Sequence, residues 1–206
     1  MKKQIVFALI LAIGGSVALV QGQNAINGGG AAAKMAPGGI GSTVADFKLK
    51  DANGKSQTLS SVKGSKGTVL IWVSAQCPMV RAYNERIVQL AADFQSQGIN
   101  VVGINSNSTE SADEIKAHAS AVHYSFPVLI DKGNKIADML GAERTPETIL
   151  LDANNVIVYR GRIDNSASPA MVKTSELRDA VGDVLAGRAV AKPETTAVGC
   201  TIKKAA

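Results

Sequence analysis

Apolar positions along the chain alternate between a period of two and a period near 3.6, and the switches mark the elements. Val44-Ala45-Asp46-Phe47-Lys48-Leu49 alternates apolar and polar, as a half-buried strand does. Asp51-Ala52-Asn53-Gly54-Lys55 reads as a turn in which Asn-Gly supplies positive φ, and Gln57-Thr58-Leu59 returns as a second short strand. Together they predict an N-terminal β-hairpin. Thr68-Val69-Leu70-Ile71-Trp72-Val73 is a continuous, β-branched apolar run, the pattern of a strand covered on both faces. After it, Val80, Tyr83, Ile87, Leu90, Ala91 and Phe94 keep helical spacing, with Pro78 suited to the first turn and Gly98 to the stop.

Ile99-Asn100-Val101-Val102-Gly103-Ile104 is a second buried strand. Ser108 or Thr109 is expected to cap a helix through Glu114, Ile115 and His118. Phe126-Pro127-Val128-Leu129-Ile130 reads as a short strand, and Ile136, Met139 and Leu140 lie on a short helix stopped by Gly141. Thr148-Ile149-Leu150-Leu151 and Val156-Ile157-Val158-Tyr159 flank a turn and predict a hairpin. Leu177, Val181, Val184 and Leu185 define a last amphipathic helix ending at Gly187. Strands alternating with helices predict an α/β domain with a mixed central sheet flanked by helices.

The ends depart from this pattern. Lys2 and Lys3 precede an apolar run over residues 5–13 and then small residues to Gly22, the layout of a secretory signal peptide cleaved after Gly22. An uncleaved membrane anchor is the alternative, since the stretch approaches the roughly 17 residues that span a bilayer. Residues 23–41, rich in Gly, Ala and Asn, read as a flexible linker. Residues 42–188 then form one domain, and residues 189–206 a tail carrying Cys200. The net charge of +5 falls to +3 without Lys2 and Lys3, and the basic residues are dispersed. Neither a nucleic-acid partner nor, after cleavage, a membrane partner is expected. No nucleotide-binding glycine fingerprint occurs, and no cofactor or resident metal is expected.

The chain has two cysteines. Export places them in an oxidising compartment, where they can form a disulfide. Cys77 follows a buried strand and directly precedes Pro78, so its sulfur lies beside the free N–H groups and positive dipole end of a helix. Such a position favours the thiolate, the form that attacks disulfides and peroxides. An inert cysteine buried at a strand end is the bland alternative.

The pieces Asp46-Phe47-x-Leu49, Trp72 to Pro78, and Thr145-Pro146-Glu147-Thr148 before Leu150-Leu151-Asp152 resemble a thioredoxin-like redoxin. The likeness is close to the alkyl hydroperoxide reductase and thiol-specific antioxidant group, and extends to exported thiol–disulfide oxidoreductases. It implies a thioredoxin-like fold, a nucleophilic Cys77, and Pro146 as a cis-proline across from Cys77. It also implies Ser74, three residues before the cysteine, and an arginine beside the thiolate, with Arg144 the first candidate and Arg81 and Arg162 the others. Two departures stand out. Val80 occupies the place of the second cysteine of a Cys-x-x-Cys pair, and Leu70 the place where peroxide-reducing relatives carry proline. Arg144 is also one residue from the expected position, which on an extended backbone turns a side chain to the other face.

Pro193 and several small residues precede Cys200, so the tail is expected to be mobile. Cys200 is then a resolving thiol for Cys77, a permanent staple on it, or a bridge between two chains. The resemblance extends to its Gly-Cys-Thr-Ile-Lys ending. The leading expectation is an exported thiol redox protein whose partners are a thiol reductant or a disulfide-bearing protein. A peroxidase acting on hydroperoxides is the alternative within redox chemistry. A non-catalytic module holding copper or a partner is the alternative outside it, weakened by Arg81 where copper carriers have a second cysteine. His118 and His123 read as solvated side chains, Trp72 as core, and Tyr83 as packed under the Cys77 helix.

Overall fold

The computed structural model describes residues 38–205. The expected signal peptide and most of the expected linker lie outside them. The elements run β1 (Lys48–Asp51), β2 (Ser56–Thr58), α1 (Leu59–Val62), β3 (Gly67–Trp72), α2 (Pro78–Gln95), β4 (Ile99–Asn105), α3 (Ala112–Val122), β5 (Val128–Ile130) and α4 (Lys135–Leu140), then β6 (Arg144–Thr145), β7 (Glu147–Asp152), β8 (Ile157–Gly161), α5 (Glu176–Leu185) and β9 (Cys200–Thr201). Among the described residues seven strands form one sheet, in the order β2-β1-β5-β4-β3-β7-β8. β3, β4 and β5 pair in parallel, while β1 with β5, β3 with β7 and β7 with β8 pair antiparallel. The sheet is mixed and flanked by helices, with β1 and β2 as its N-terminal hairpin.

β3 explains why its sequence is apolar without a break. Val69 and Ile71 join one core cluster, with Val80, Ile87 and Phe94 of α2 and Leu177 and Val181 of α5. Leu70 and Trp72 point the other way, into a cluster with Leu59 of α1 and Ile136 and Leu140 of α4. Successive strand residues face opposite sides, so a sheet covered on both sides needs apolar residues at every position. Each large side chain removed from water on this scale contributes about 2 kcal/mol.

Several boundaries differ from the sequence expectation. The first strand begins at Lys48 rather than Val44, because Thr43 and Val44 are held against the β7–β8 turn: Thr43 bridges Val156, and the Val44 amide donates to Asn155 O at 2.8 Å. In the β1–β2 turn only Gly54 has positive φ, at 82°, and the Asp51 carboxylate does the rest, Oδ1 accepting from the Asn53 and Lys55 amides. α3 is capped by Ser111, not Ser108 or Thr109, because Ser111 and Glu114 form a reciprocal capping box. Residues 38–41, read as the end of a flexible linker, are packed: Gly38 O accepts from Arg160 Nη1 at 2.7 Å, and the Gly41 amide donates to Ile157 O at 2.7 Å.

The tail does not hang free either. The Arg160 amide donates to Pro193 O at 2.9 Å and the Thr195 amide to Arg160 O at 3.0 Å. Beyond Cys200, Ile202 is buried against the α4 side of the sheet. The expectation of mobility took Pro193 and small residues as signs of nothing to bury. Ile202 and main-chain hydrogen bonds supply the anchorage instead.

Candidate active site

Cys77 is the N-cap of α2, with Pro78 as the first helical residue. Its side chain makes no capping hydrogen bond, and it is almost fully buried. An extended residue that ends a loop and opens a helix directs its side chain toward the helix end, where unpaired N–H groups and the dipole favour negative charge.

Cys77 is disulfide-bonded to Cys200, 123 residues later, with Cα atoms 6.1 Å apart. Of the three expectations for Cys200, the bond is thus within one chain. The tail reaches Cys77 as strand β9, which pairs antiparallel with β6 so that Cys200 lies opposite Thr145 and Thr201 opposite Arg144. The Thr145–Pro146 peptide is cis, and Thr145 O lies 3.2 Å from Cys77 Sγ. Gly199 lets the tail come this close, since a Cβ there would meet Thr145 O at 2.2 Å. The Thr145 hydroxyl is buried and has no hydrogen-bond partner among the described residues.

Ser74 and Glu110 hold the loop before Cys77. The Ser74 Oγ accepts from the Cys77 amide at 3.1 Å and the Gln76 amide at 3.3 Å. Its own proton goes to Glu110 Oε1. Glu110 Oε2 accepts from the Ala75 amide at 2.8 Å and from Asn105 Nδ2 at 2.7 Å. Glu110 is buried, and a carboxylate there is tolerated because these donors surround it. Nothing in the sequence around Glu110 pointed to this role; it lies 36 residues from Ser74 and only the β3–β4 pairing brings the two strand ends together.

The AhpC/TSA family matches residues 40–160, a span running from before β1 into β8 and including Cys77, Ser74, Glu110 and the cis-proline turn. The chain belongs to this family. Cys200 lies beyond the matched span. The thiol-disulfide oxidoreductase ResA of Halalkalibacterium halodurans is 29% identical over 118 residues, 57% of this chain and 65% of that protein. Peroxiredoxin Q, chloroplastic, of Sedum lineare is 32% identical over 124 residues, again covering 57% and 65%. The aligned part therefore spans just under two thirds of these curated relatives. Among solved structures, a hypothetical protein from Sinorhizobium meliloti is 35% identical with a TM-score of 0.75, covering 82% of this chain and 96% of that one.

The three candidate arginines of this AhpC/TSA-family chain go to different places. Arg144 is exposed; its Nη1 donates to Thr201 Oγ1 at 3.1 Å, so it grips the tail rather than the sulfur. Its neighbour Thr145 is buried instead, and it is the Thr145 carbonyl oxygen that lies against Cys77 Sγ. Arg81 Nη2 donates to Ala75 O at 3.2 Å, bracing the loop from outside. Arg162, the third candidate for the arginine beside the thiolate, is instead paired with the buried Glu176 carboxylate, Nε to Oε1 at 3.1 Å. That hydrogen bond raises the Arg162 pKa; burial pushes Glu176 up, but the bonds from Arg162 and Thr174 bring it below the usual carboxylate range.

His123 is exposed, as expected, but His118 is half-buried. His118 packs edge-on against Tyr124 at 5.7 Å between ring centres, and burial lowers its pKa. His123 closes α3 in a left-handed conformation, φ 62°. Among the described residues, no group of three or more His, Cys, Asp or Glu is gathered as a metal site. Trp72 is core, as expected, with its Nε1 donating to Ser106 Oγ at 3.2 Å. Tyr83 lies on the buried face of α2 itself and donates to Asp164 Oδ1 at 2.9 Å.

Proposed function

We propose that this protein is an exported thiol–disulfide oxidoreductase in which Cys77 and Cys200 are the redox couple. The observation that carries it is the Cys77–Cys200 disulfide at a helix N-terminus beside a cis-proline turn. Cys77 is the nucleophile, and Cys200 takes the place of the absent second cysteine at position 80. In the reducing direction the Cys77 thiolate attacks a substrate disulfide. A mixed disulfide forms, and one substrate sulfur leaves as thiolate and takes a proton. The Cys200 thiolate then attacks Cys77 Sγ, releasing the second substrate sulfur. The substrate disulfide gains two electrons and becomes a dithiol, and the protein becomes the disulfide form. An external thiol reductant returns it to the dithiol.

Disulfide exchange is favoured over peroxide reduction by Ser74. A hydroxyl that polarises a peroxide must offer its proton to it, and the Ser74 proton is committed to Glu110. Attack on a disulfide needs no such donor. Export is supported by the basic and apolar pattern of residues 2–22, and by cysteines placed to pair, which suits an oxidising compartment. The curated relatives, a thiol-disulfide oxidoreductase and a peroxiredoxin, agree with thiol chemistry.

The test is to reduce the protein, add one equivalent of a disulfide substrate such as oxidised glutathione, trap free thiols by alkylation, and weigh the intact chain. Loss of both thiols within the monomer is the expected result. A stable glutathione adduct on Cys77 with Cys200 still free would reject Cys200 as the second member. Fast consumption of hydroperoxide with a thiol reductant, alongside slow disulfide exchange, would favour a peroxidase.

A further inference from the structure

We infer that residues 105–110, the last residue of β4 and the loop that leaves it, form a clamp that positions both cysteines and so sets how readily they pair. This rests on Cys77 and Cys200 being the redox couple proposed above. The loop reaches in two directions. Toward Cys77, Glu110 binds the Ala75 amide and the Ser74 hydroxyl. Toward Cys200, Asn107 Oδ1 accepts from the Lys203 amide at 2.7 Å, and the Ser108 amide donates to Lys203 O at 2.7 Å. Asn105 joins the two halves: its Nδ2 donates to Glu110 Oε2 at 2.7 Å, and its Oδ1 accepts from the Asn107 amide at 3.1 Å. Asn105, Asn107 and Glu110 are 2%, 8% and 8% exposed, so water does not replace these bonds cheaply.

None of these contacts involves a sulfur atom. The Ile202 amide also donates to Glu143 O, and on the near side of Cys200 the Thr195 hydroxyl contacts the Tyr159 hydroxyl at 2.8 Å. The tail is therefore held on both sides of Cys200 when the disulfide is broken. Cys200 then stays beside Cys77 as a placed group, and closure resembles an oriented intramolecular reaction rather than the meeting of ends of a long loose chain. Asn107 and Asn105 act as positioning residues: neither touches a sulfur, and both act through the backbone that carries one.

The experiment equilibrates the full chain with mixtures of reduced and oxidised glutathione and counts thiols by alkylation and mass. Two glutathione thiols supply two electrons, the Cys77–Cys200 bond breaks, one oxidised glutathione forms, and the protons pass to the two cysteine sulfurs. Asn107→Ala leaves the Lys203 amide without its acceptor and is expected to lower the equilibrium for ring closure about tenfold. Asn107→Asp keeps an acceptor and restores most of it. Glu110→Gln lowers it too, and the double variant falls short of the product of the single effects, because both run through Asn105. Full additivity would break the claim of a single clamp. In a Cys77→Ser background with Asn107 intact, Cys200 is expected to be alkylated at least about tenfold more slowly than in the urea-unfolded chain. Equal rates there, or an unchanged equilibrium in Asn107→Ala, would overturn the clamp while leaving the redox couple standing. Failure of the wild-type chain to form the disulfide at any glutathione ratio would overturn the couple itself, and the clamp with it.

Discussion

Thr145 and Cys200 are direct cross-strand partners, and the Thr145 carbonyl oxygen is also 3.2 Å from Cys77 Sγ. One residue therefore touches both cysteines, its neighbour Pro146 fixes the turn, and the tail enters the site as a strand. The pairing has only two residues on each side, so its geometry depends on the close approach at Gly199.

Gly199→Ala tests that approach. The added Cβ would lie 2.2 Å from Thr145 O and 2.6 Å from Thr145 C, both backbone atoms that cannot swing away. The docked tail should lose about 1–3 kcal/mol, the usual penalty for overpacking. Mild oxidation followed by thiol counting should recover less intramolecular disulfide than in the wild type. Undiminished pairing would mean the tail can approach by another path.

Ser74→Ala removes the acceptor of the Cys77 and Gln76 amides and a donor to Glu110. Stability to urea should fall by about 1–3 kcal/mol, the cost of buried groups left unpaired. Ser74→Thr, which keeps the hydroxyl, should cost less. A peroxide-consumption rate that collapses in Ser74→Ala, with stability unchanged, would return Ser74 to the peroxide-polarising role.

Arg86 ties the Cys77 helix to the segment after β8. Its Nη1 donates to Asp164 Oδ2 at 2.5 Å and to Ser166 O at 2.8 Å, and its guanidinium carbon lies 3.9 Å from the centre of the Tyr83 ring. Asp164 is buried, so Arg86→Ala strands a carboxylate and should cost about 3 kcal/mol. Denaturant unfolding measures it. Replacing Asp164 by Asn in the same background should recover part of the loss, because the stranded charge is then gone.

The tyrosines set an alkaline limit. Burial, helped by Asp164, pushes Tyr83 up to about 12, and burial does the same for Tyr159 against a weaker opposing bond from Thr195. Tyr124 is raised as well, by burial. Unfolded phenols titrate near 10, so the folded chain holds these protons more tightly. Their contribution to stability is complete below pH about 10 and is lost as the pH rises toward 12. Ultraviolet difference titration should show little phenolate in the folded protein at pH 10. Half-ionisation there, with the fold intact, would contradict it.

Much of the architecture was legible because it follows from periodicity. β3 and β4 are apolar at successive positions, α2 repeats at helical spacing between Pro78 and Gly98, and the β7–β8 hairpin brackets its turn. Less legible were elements fixed by side chains meeting main chain. Ser111 won the α3 cap because Glu114 answers it, and Val44 left the first strand because Asn155 offered its carbonyl. The pairing of Arg162 was not legible because its partner Glu176, 14 residues on, is brought under it only by the return of α5.

The sequence by itself determined an alternating α/β chain with Cys77 at the mouth of a helix and Pro146 at a turn. Those features follow from local rules: where apolar residues recur, where proline is tolerated, and which residues precede a helix. Only the tertiary structure decided where the second cysteine sits, which way Arg144 faces, and that Glu110 and Asn107 stand behind the two sulfurs. These depend on contacts between residues 36 to 123 positions apart. No local pattern encodes such a contact, because it exists only once the sheet has aligned its strand ends and the tail has found Ile202 a place in the core.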